Sequence, residues 1–261
     1  MEKNVLYEVT AGVAYLTLNR PHVLNAFNEQ MHNDLYEAFE RAGSDRQVRA
    51  IVLRGNGKGF SAGADLSMID KDQLATFDHG EHLRHTYNRV LLRMAEIEQP
   101  IIAAMHGATV GAGLSLALAC DFRLAAESSV FSLAFVNIGL VPDAGSSYFL
   151  PRIVGLSKAL ELAVTGRKIG SDEAEQIGLV NRVVADEALA GEVEAFAKKL
   201  AHMPTQAIGL MKRTMYASFE NDLHTVLENE VRTQSLAGKT ADHLEGVQAF
   251  YEKRRPQFTG Q

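Results

Sequence analysis

Two stretches of very small residues stand out as places where a backbone can do chemistry. The first is Gly55-Asn-Gly-Lys-Gly-Phe-Ser-Ala-Gly-Ala-Asp-Leu66, directly after the apolar run 50–53. It lacks the Gly-x4-Gly-Lys-Ser/Thr order of a P-loop. It also fails as a dinucleotide fingerprint, because Asp70 and Asp72 fall too close for the acidic partner expected ~20 positions on. What remains is Ala62-Gly63-Ala64, which lets a backbone N–H approach a ligand oxygen unobstructed. The second is His106-Gly-Ala-Thr-Val-Gly-Ala-Gly-Leu-Ser115, after the apolar run 101–105 and opening a helix. A helix start offers free N–H groups to an anion, although close packing of helix on sheet explains such glycines equally well. Two such turns after two neighbouring buried strands can converge two N–H donors on one oxygen, the arrangement that stabilises an oxyanion. A third feature is Asp143 in Gly139-Leu-Val-Pro-Asp-Ala-Gly-Ser-Ser147. A carboxylate there is either an acid–base group or the N-cap of the following helical run.

Other reactive residue types read as structural. Cys120 sits inside an apolar run as a buried thiol. The nine histidines show no metal-ligand spacing, so no metal is expected, and His79, His82 and His85 read as a solvated helix face. Lys253-Arg254-Arg255 reads as a basic helix end.

The elements that must position these residues follow from periodicity. Alternation at Val5, Tyr7, Val9 and Val13, Tyr15, Thr17 predicts an opening hairpin. Met31, Leu35, Ala38, Phe39 and Ala42 predict a helix. The runs 50–53, 101–105 and 121–125 predict buried strands, with a helical segment over 66–98 that is mobile at its start. Strands interleaved with helices indicate an α/β domain with a covered sheet. Beyond about residue 185 only helical stripes remain: 189–200, then Leu223, Leu227 and Val231, then Leu244, Val247, Phe250 and Tyr251. These last helices are too poor in apolar surface to form a core alone, so they are expected to pack on the main domain or on a partner subunit.

Composition sets outer bounds. The 261 residues are 46% hydrophobic with a net charge of −6, which argues against disorder and against a general nucleic-acid or anionic-membrane binder. A single Cys excludes an internal disulfide scaffold and fits a reducing, cytoplasmic setting. The N-terminus lacks the order of a signal or transit peptide. The twenty residues 101–120 carry no formal charge, but their glycines favour strand, turn and buried helix over a membrane span.

Taken together, Asn19-Arg-Pro, Asn25-Ala26, Phe60-Ser-Ala-Gly-Ala-Asp65, Gly107-Ala-Thr-Val-Gly-Ala-Gly113, Ala119-Cys-Asp121 and Ile138-Gly-Leu-Val-Pro142 resemble the enoyl-CoA hydratase/isomerase (crotonase) family, in its order and spacing. The resemblance implies a crotonase-like spiral of ββα units over residues 1–200, followed by a helical trimerisation region over 201–261. It implies an acyl-CoA thioester as substrate with no further cofactor, and a homotrimer or a dimer of trimers, with a hydratase of the same pathway as a possible hetero-partner. By motif position the Ala64 and Ala112 N–H groups hold the thioester oxygen. Leu24, Ala26, Ala62, Gly63, Asp65, Leu66 and Gly111 line the substrate, with Asp65 chiefly shaping its turn. Phe250 and Lys253 reach the CoA of a neighbouring subunit. The two glutamates of the family's hydratases fall on Ser115 and Phe135, neither of which transfers a proton unaided. Phe135 is either acyl-pocket wall or ordinary core. Asp143 replaces the lost carboxylates, and the loops 130–143 and 150–155 and the C-terminal ending resemble members that isomerise a ring epoxide of an arylacetyl-CoA. It also matches the nucleophile of the family's aryl-CoA dehalogenases, but their histidine falls on Asn88, which disfavours that reaction. Asn88 either orients the substrate or Asp143, or is an exposed helix residue. The expected activity is acyl-CoA isomerisation, on such an epoxide or from 3-enoyl-CoA to 2-enoyl-CoA. Hydration is the alternative. A non-catalytic RNA-binding homologue is the reading of another class, and no Lys-rich face supports it.

Overall fold

The computed structural model describes residues 3–68, 72 and 76–261. The chain opens on the antiparallel hairpin β1 (Val5–Thr10) and β2 (Val13–Leu18), followed by α1 (Glu29–Ser44). The Asn28 side chain caps α1 by accepting the Met31 N–H at 2.8 Å. Next come β3 (Ala50–Gly55), β4 (Gly59–Ser61), α2 (His79–His85), α3 (Tyr87–Glu96), β5 (Ile101–Met105), β6 (Ala108–Val110) and α4 (Ala112–Leu118). Then follow β7 (Phe122–Ala126), β8 (Val130–Ser132), α5 (Ser146–Val154), α6 (Leu156–Thr165), β9 (Ile169–Gly170), α7 (Ser171–Gln176) and β10 (Arg182–Val184). Four helices close the chain: α8 (Leu189–Ala201), α9 (Thr205–Ser218), α10 (Leu223–Ala237) and α11 (Ala241–Tyr251).

Successive turns of the chain each place one strand in each of two sheets. One sheet has the order β1-β2-β3-β5-β7-β10, and the other β4-β6-β8-β9. Thus β3 leads to β4, β5 to β6 and β7 to β8, and the strands so added run parallel to their predecessors. This is the expected α/β spiral of ββα units. The large sheet is covered on both faces, which explains its unbroken apolar runs. Ile51, Leu53, Ile101, Ala103 and Met105 point into the main core, while Ala50, Val52, Ile102 and Ala104 pack under α8 through Leu189, Val193 and Ala197. The apolar stretch 101–120 folds as β5, β6 and α4. No helix among the described residues is long and apolar enough to cross a membrane.

Two local expectations change. The segment 66–98 is not one helix: a 3-10 turn spans Leu66–Met68, and α2 and α3 are separated at Thr86. The expected mobile start of that segment falls partly on 69–71 and 73–75, outside the described residues. The third strand begins at Phe122, because the Asp121 carboxylate is used as a clamp. It accepts the Ile101 N–H at 2.8 Å and pairs with Lys212 of α9 at 2.7 Å, with both side chains nearly buried. Lys212 also donates to the Ile97 and Gln99 carbonyls, and the Arg49 guanidinium donates to Thr205. The helical tail therefore docks on the core through polar contacts distant in sequence. Asp121→Ala leaves a nearly buried ammonium without its counter-charge, so denaturation is expected to show about 3–5 kcal/mol of lost stability. A loss below about 1 kcal/mol, the range of exposed pairs, contradicts the clamp.

Candidate active site

The two glycine-rich turns meet. Phe27 bridges the loop after β4: its N–H donates to the Gly63 carbonyl at 2.8 Å, and its carbonyl accepts the Asp65 N–H at 3.0 Å. In an extended chain alternate amides point to opposite sides, so the Ala64 N–H faces away from Phe27. Opposite stands Ala112, the first residue of α4, whose N–H has no intrahelical acceptor. No hydrogen bond among the described residues uses either amide. Only glycine permits this approach. Gly63 has φ +92°, and a Cβ on it stands 2.8 Å from the Val110 carbonyl oxygen and 3.2 Å from the Ala112 nitrogen. Gly113 similarly lies against Ser61, where a Cβ comes within 2.7 Å of the Ser61 Cβ.

Ala64 and Ala112 line a cavity of about 470 Å³ together with Ala62, Asp65, Leu66, Gly111, Phe135 and Asp143. Gly63 supports it from behind. Asp65 is engaged in its turn, pairing with Arg20 at 2.9 Å and accepting from the Ser67 hydroxyl and amide. The Ser67 hydroxyl bond, aided by Arg20, holds its carboxyl below the usual range. Ser115 is fully buried and donates its hydroxyl to the Gly111 carbonyl at 3.2 Å. Phe135 sits 8% exposed at the start of a 3-10 turn, Phe135–Ile138, and presents its ring to the cavity.

Asp143 is not a helix cap. Gly145 occupies the N-cap position of α5, and Asp143 contributes only its backbone carbonyl, to the Ser146 amide and hydroxyl. The carboxylate Oδ1 is buried without a hydrogen-bond partner among the described residues. Burial pushes this carboxyl up to about 6. The side chain is thus held for the cavity rather than for the helix.

Several expected site residues lie elsewhere. Asn88 is exposed and off the cavity, because the buried stripe of α3 is Tyr87, Val90 and Met94, and residue 88 is turned about 100° from 87. Leu24 and Ala26 do not line the cavity either. The Leu24 carbonyl is tied to the Ala62 N–H and that of Ala26 to Arg20, while the next residue, Phe27, forms the wall. Phe250 and Lys253, at the end of α11, are exposed and touch no part of the cavity in their own chain. His79 and His82 correct the solvated-face reading. Both are partly buried and line the cavity; only His85 is exposed, bonded to Glu81 at 2.6 Å. Burial, reinforced by His79, lowers the His82 pKa. Periodicity missed Tyr87 as a site residue. Tyr87 is buried with its neighbours Thr86 and Val90 and lines the cavity, while Asn88 takes the exposed-helix alternative.

Cys120 is fully buried, donates to the Leu116 carbonyl, and is pushed to a higher pKa by burial, as suits a structural thiol.

The molecule is similar to known proteins over its whole length. A 1,2-epoxyphenylacetyl-CoA isomerase of Escherichia coli is 41% identical over 261 residues, covering 100% of both chains. A probable enoyl-CoA hydratase of Rhodobacter capsulatus is also 41% identical, over 98% of both chains. The crystal structure of a putative enoyl-CoA hydratase/isomerase from Mycobacterium abscessus superposes with a TM-score of 0.93 at 37% identity, covering 98% of this chain and 100% of that one. The names of these three relatives divide between isomerase and hydratase, and each names a CoA thioester. The family model described as enoyl-CoA hydratase/isomerase matches residues 8–261, and the chain belongs to that family of enzymes.

Proposed function

We propose that this enzyme is an acyl-CoA isomerase whose acid–base group is Asp143. The observation that carries the reading is the distribution of carboxylates around the cavity. Positions 115 and 135 hold none, Asp65 is consumed by Arg20 and Ser67, and Glu29 is exposed. Among the described residues, Asp143 alone is partly buried, without a partner at Oδ1, and raised toward neutrality. That is the state suited to moving a proton near pH 7.

The thioester oxygen sits between the Ala64 and Ala112 N–H groups. Asp143 removes a proton from carbon 2, and the electron pair flows into the carbonyl to give an enolate held by both amides. In a 3-enoyl-CoA the same carboxyl returns the proton to carbon 4, leaving the double bond at carbon 2. The Phe135 ring suits an apolar or aromatic acyl group. With the resemblance to the E. coli epoxide isomerase, this makes 1,2-epoxyphenylacetyl-CoA the first substrate to test. Hydration is the second reading, favoured by the hydratase names of several relatives. The purified enzyme is to be assayed with the epoxide, 3-hexenoyl-CoA and crotonyl-CoA. Isomerisation of either of the first two with slow crotonyl-CoA hydration is expected. Fast hydration with neither isomerisation overturns the proposal.

We also infer that residues 201–261 join copies of the chain. The α10 stripe Leu223, Leu227 and Val231 is 72%, 50% and 60% exposed, and α10 buries no residue in its own chain. Light scattering is expected to find a trimer or a dimer of trimers, with Phe250 and Lys253 then available to a neighbour's CoA. The double variant Leu223→Asp, Leu227→Asp is expected to dissociate it. A monomeric wild type contradicts this.

A further inference from the structure

The cavity holds two buried polar atoms that nothing in the described residues satisfies: the Asp143 Oδ1 and the Tyr87 hydroxyl. Such orphans are uncommon in a folded protein, and each is costly. Here both residues line the same cavity, and Tyr87 is only 5% exposed. They are chemically complementary, since a carboxylate only accepts and a phenol at neutral pH has one proton to donate. Asp143 is also close enough to add its charge to the burial that pushes the Tyr87 phenol upward, so Tyr87 stays protonated and acts as a donor, never as a base.

We propose that Tyr87 is a positioning residue for Asp143, its O–H donating to Oδ1 during the reaction so that Oδ2 is the oxygen presented to the acyl carbons. The inference rests on Asp143 being the acid–base group. The position expected of Asn88 is thereby filled by the residue before it, one helical step around α3. Tyr87 is itself held firmly. Its ring stands edge-on to His32 at 4.2 Å and to Phe27 at 5.7 Å between ring centres. A donor fixed in this way orients a carboxylate at little entropic cost.

Among the described residues no other charged group competes for the role. On α3, Arg89 lies over the Tyr36 ring and Arg93 pairs with Glu40. The helix α4 carries no charge, and Arg152 of α5 rests on the Tyr148 ring. Among the described residues, the remaining titratable groups of the cavity are Glu29, Asp65, His79 and His82, while His32, packed on Tyr87, is kept neutral by burial. Of these Asp65 is paired with Arg20, and none contributes to the raised state of Asp143, whose cause is burial.

The test is the pH profile of kcat, which reports the substrate-bound enzyme in which the bond is made, for Tyr87→Phe with an isomerisable acyl-CoA. A hydrogen bond to the carboxylate favours its charged form, so its removal is expected to move the acid limb upward by about half to one pH unit. At pH 5, a unit below the Asp143 value, kcat is expected to fall about 3–10-fold with KM changed less than twofold. A purely structural tyrosine leaves the limb in place, and that result overturns the proposal. The lost hydroxyl has no partner, so the variant is expected to melt no lower than wild type. Should it be insoluble, 3-fluorotyrosine introduced at position 87 strengthens the donor and is expected to move the limb downward. An unmoved limb there also overturns the proposal. Asp143→Asn separates the two levels of argument. If it is inactive while Tyr87→Phe keeps the wild-type limb, the positioning role fails alone; if it is fully active, the acid–base assignment and the role built on it fail together.

Discussion

Asp143→Asn is expected to lower kcat/KM for isomerisation by about 10²–10⁴-fold, the range that a positioned general acid–base group supplies. KM is expected to change little, because the amide keeps the size and shape of the carboxyl while losing the ability to take a proton. The same substitution is expected to raise thermal stability. Burial holds the folded-state carboxyl at about 6 against an ordinary 3.8, so the folded protein binds this proton more tightly than the unfolded chain. The stability linked to it is fully present below the unfolded value and is lost as pH rises through 6. An asparagine escapes that loss, and the gain over wild type is expected to grow from pH 5 to pH 7. For wild-type activity the sign is opposite: the base must be ionised, so kcat/KM is expected to fall about tenfold per unit below about pH 6. A variant that is inactive and less stable points instead to a structural aspartate. Full activity in the variant removes Asp143 from the mechanism.

Much of this site is legible in the sequence because its signals are local. Short apolar runs ending in glycine mark strands buried on both faces, as β3 and β5 are. Three small residues at 62–64 and the glycines at 111 and 113 mark a close backbone approach. What escapes is anything decided by phase or by distant partners. Asn88 and Tyr87 differ by one residue but by about 100° of helix. A period-3.6 stripe cannot choose between them when the helix breaks one residue earlier, at Thr86. His79 and His82 read as solvated because α2 is charged, yet the cavity lies on one side of that helix. The Asp143 ambiguity is of a third kind. Pro-Asp before a helix fits a cap, and only the helix starting later, after Gly145, leaves the carboxylate free. The docking of the tail through Lys212 on Asp121 has no periodicity and is invisible from either segment alone.

The other large effect is expected at Gly63, a residue with no side chain to offer. A Cβ there meets the Val110 carbonyl oxygen at 2.8 Å and the Ala112 nitrogen at 3.2 Å, and the φ of +92° is one that L residues rarely adopt. Gly63→Ala must therefore push the Ala64 loop and the start of α4 apart or twist the peptide between them. Both of these backbones are pinned, by the Phe27 bridge on one side and by the Gly111 N–H bond to the Ser132 carbonyl on the other. The relaxation accordingly falls on the two unpartnered amides. Losing the aim of one oxyanion donor costs about 10²–10³ in kcat. The loss is expected in kcat more than in KM, since the amides grip the enolate more tightly than the ground-state carbonyl. Gly170→Ala is the control, because a Cβ there meets nothing within 4 Å and needs no positive φ; it is expected to keep full activity. A Gly63→Ala enzyme that folds and turns over at the wild-type rate shows that the two amides do not act on one oxygen. An acyl-CoA that still binds but is no longer turned over identifies their work as stabilising the enolate rather than holding the substrate.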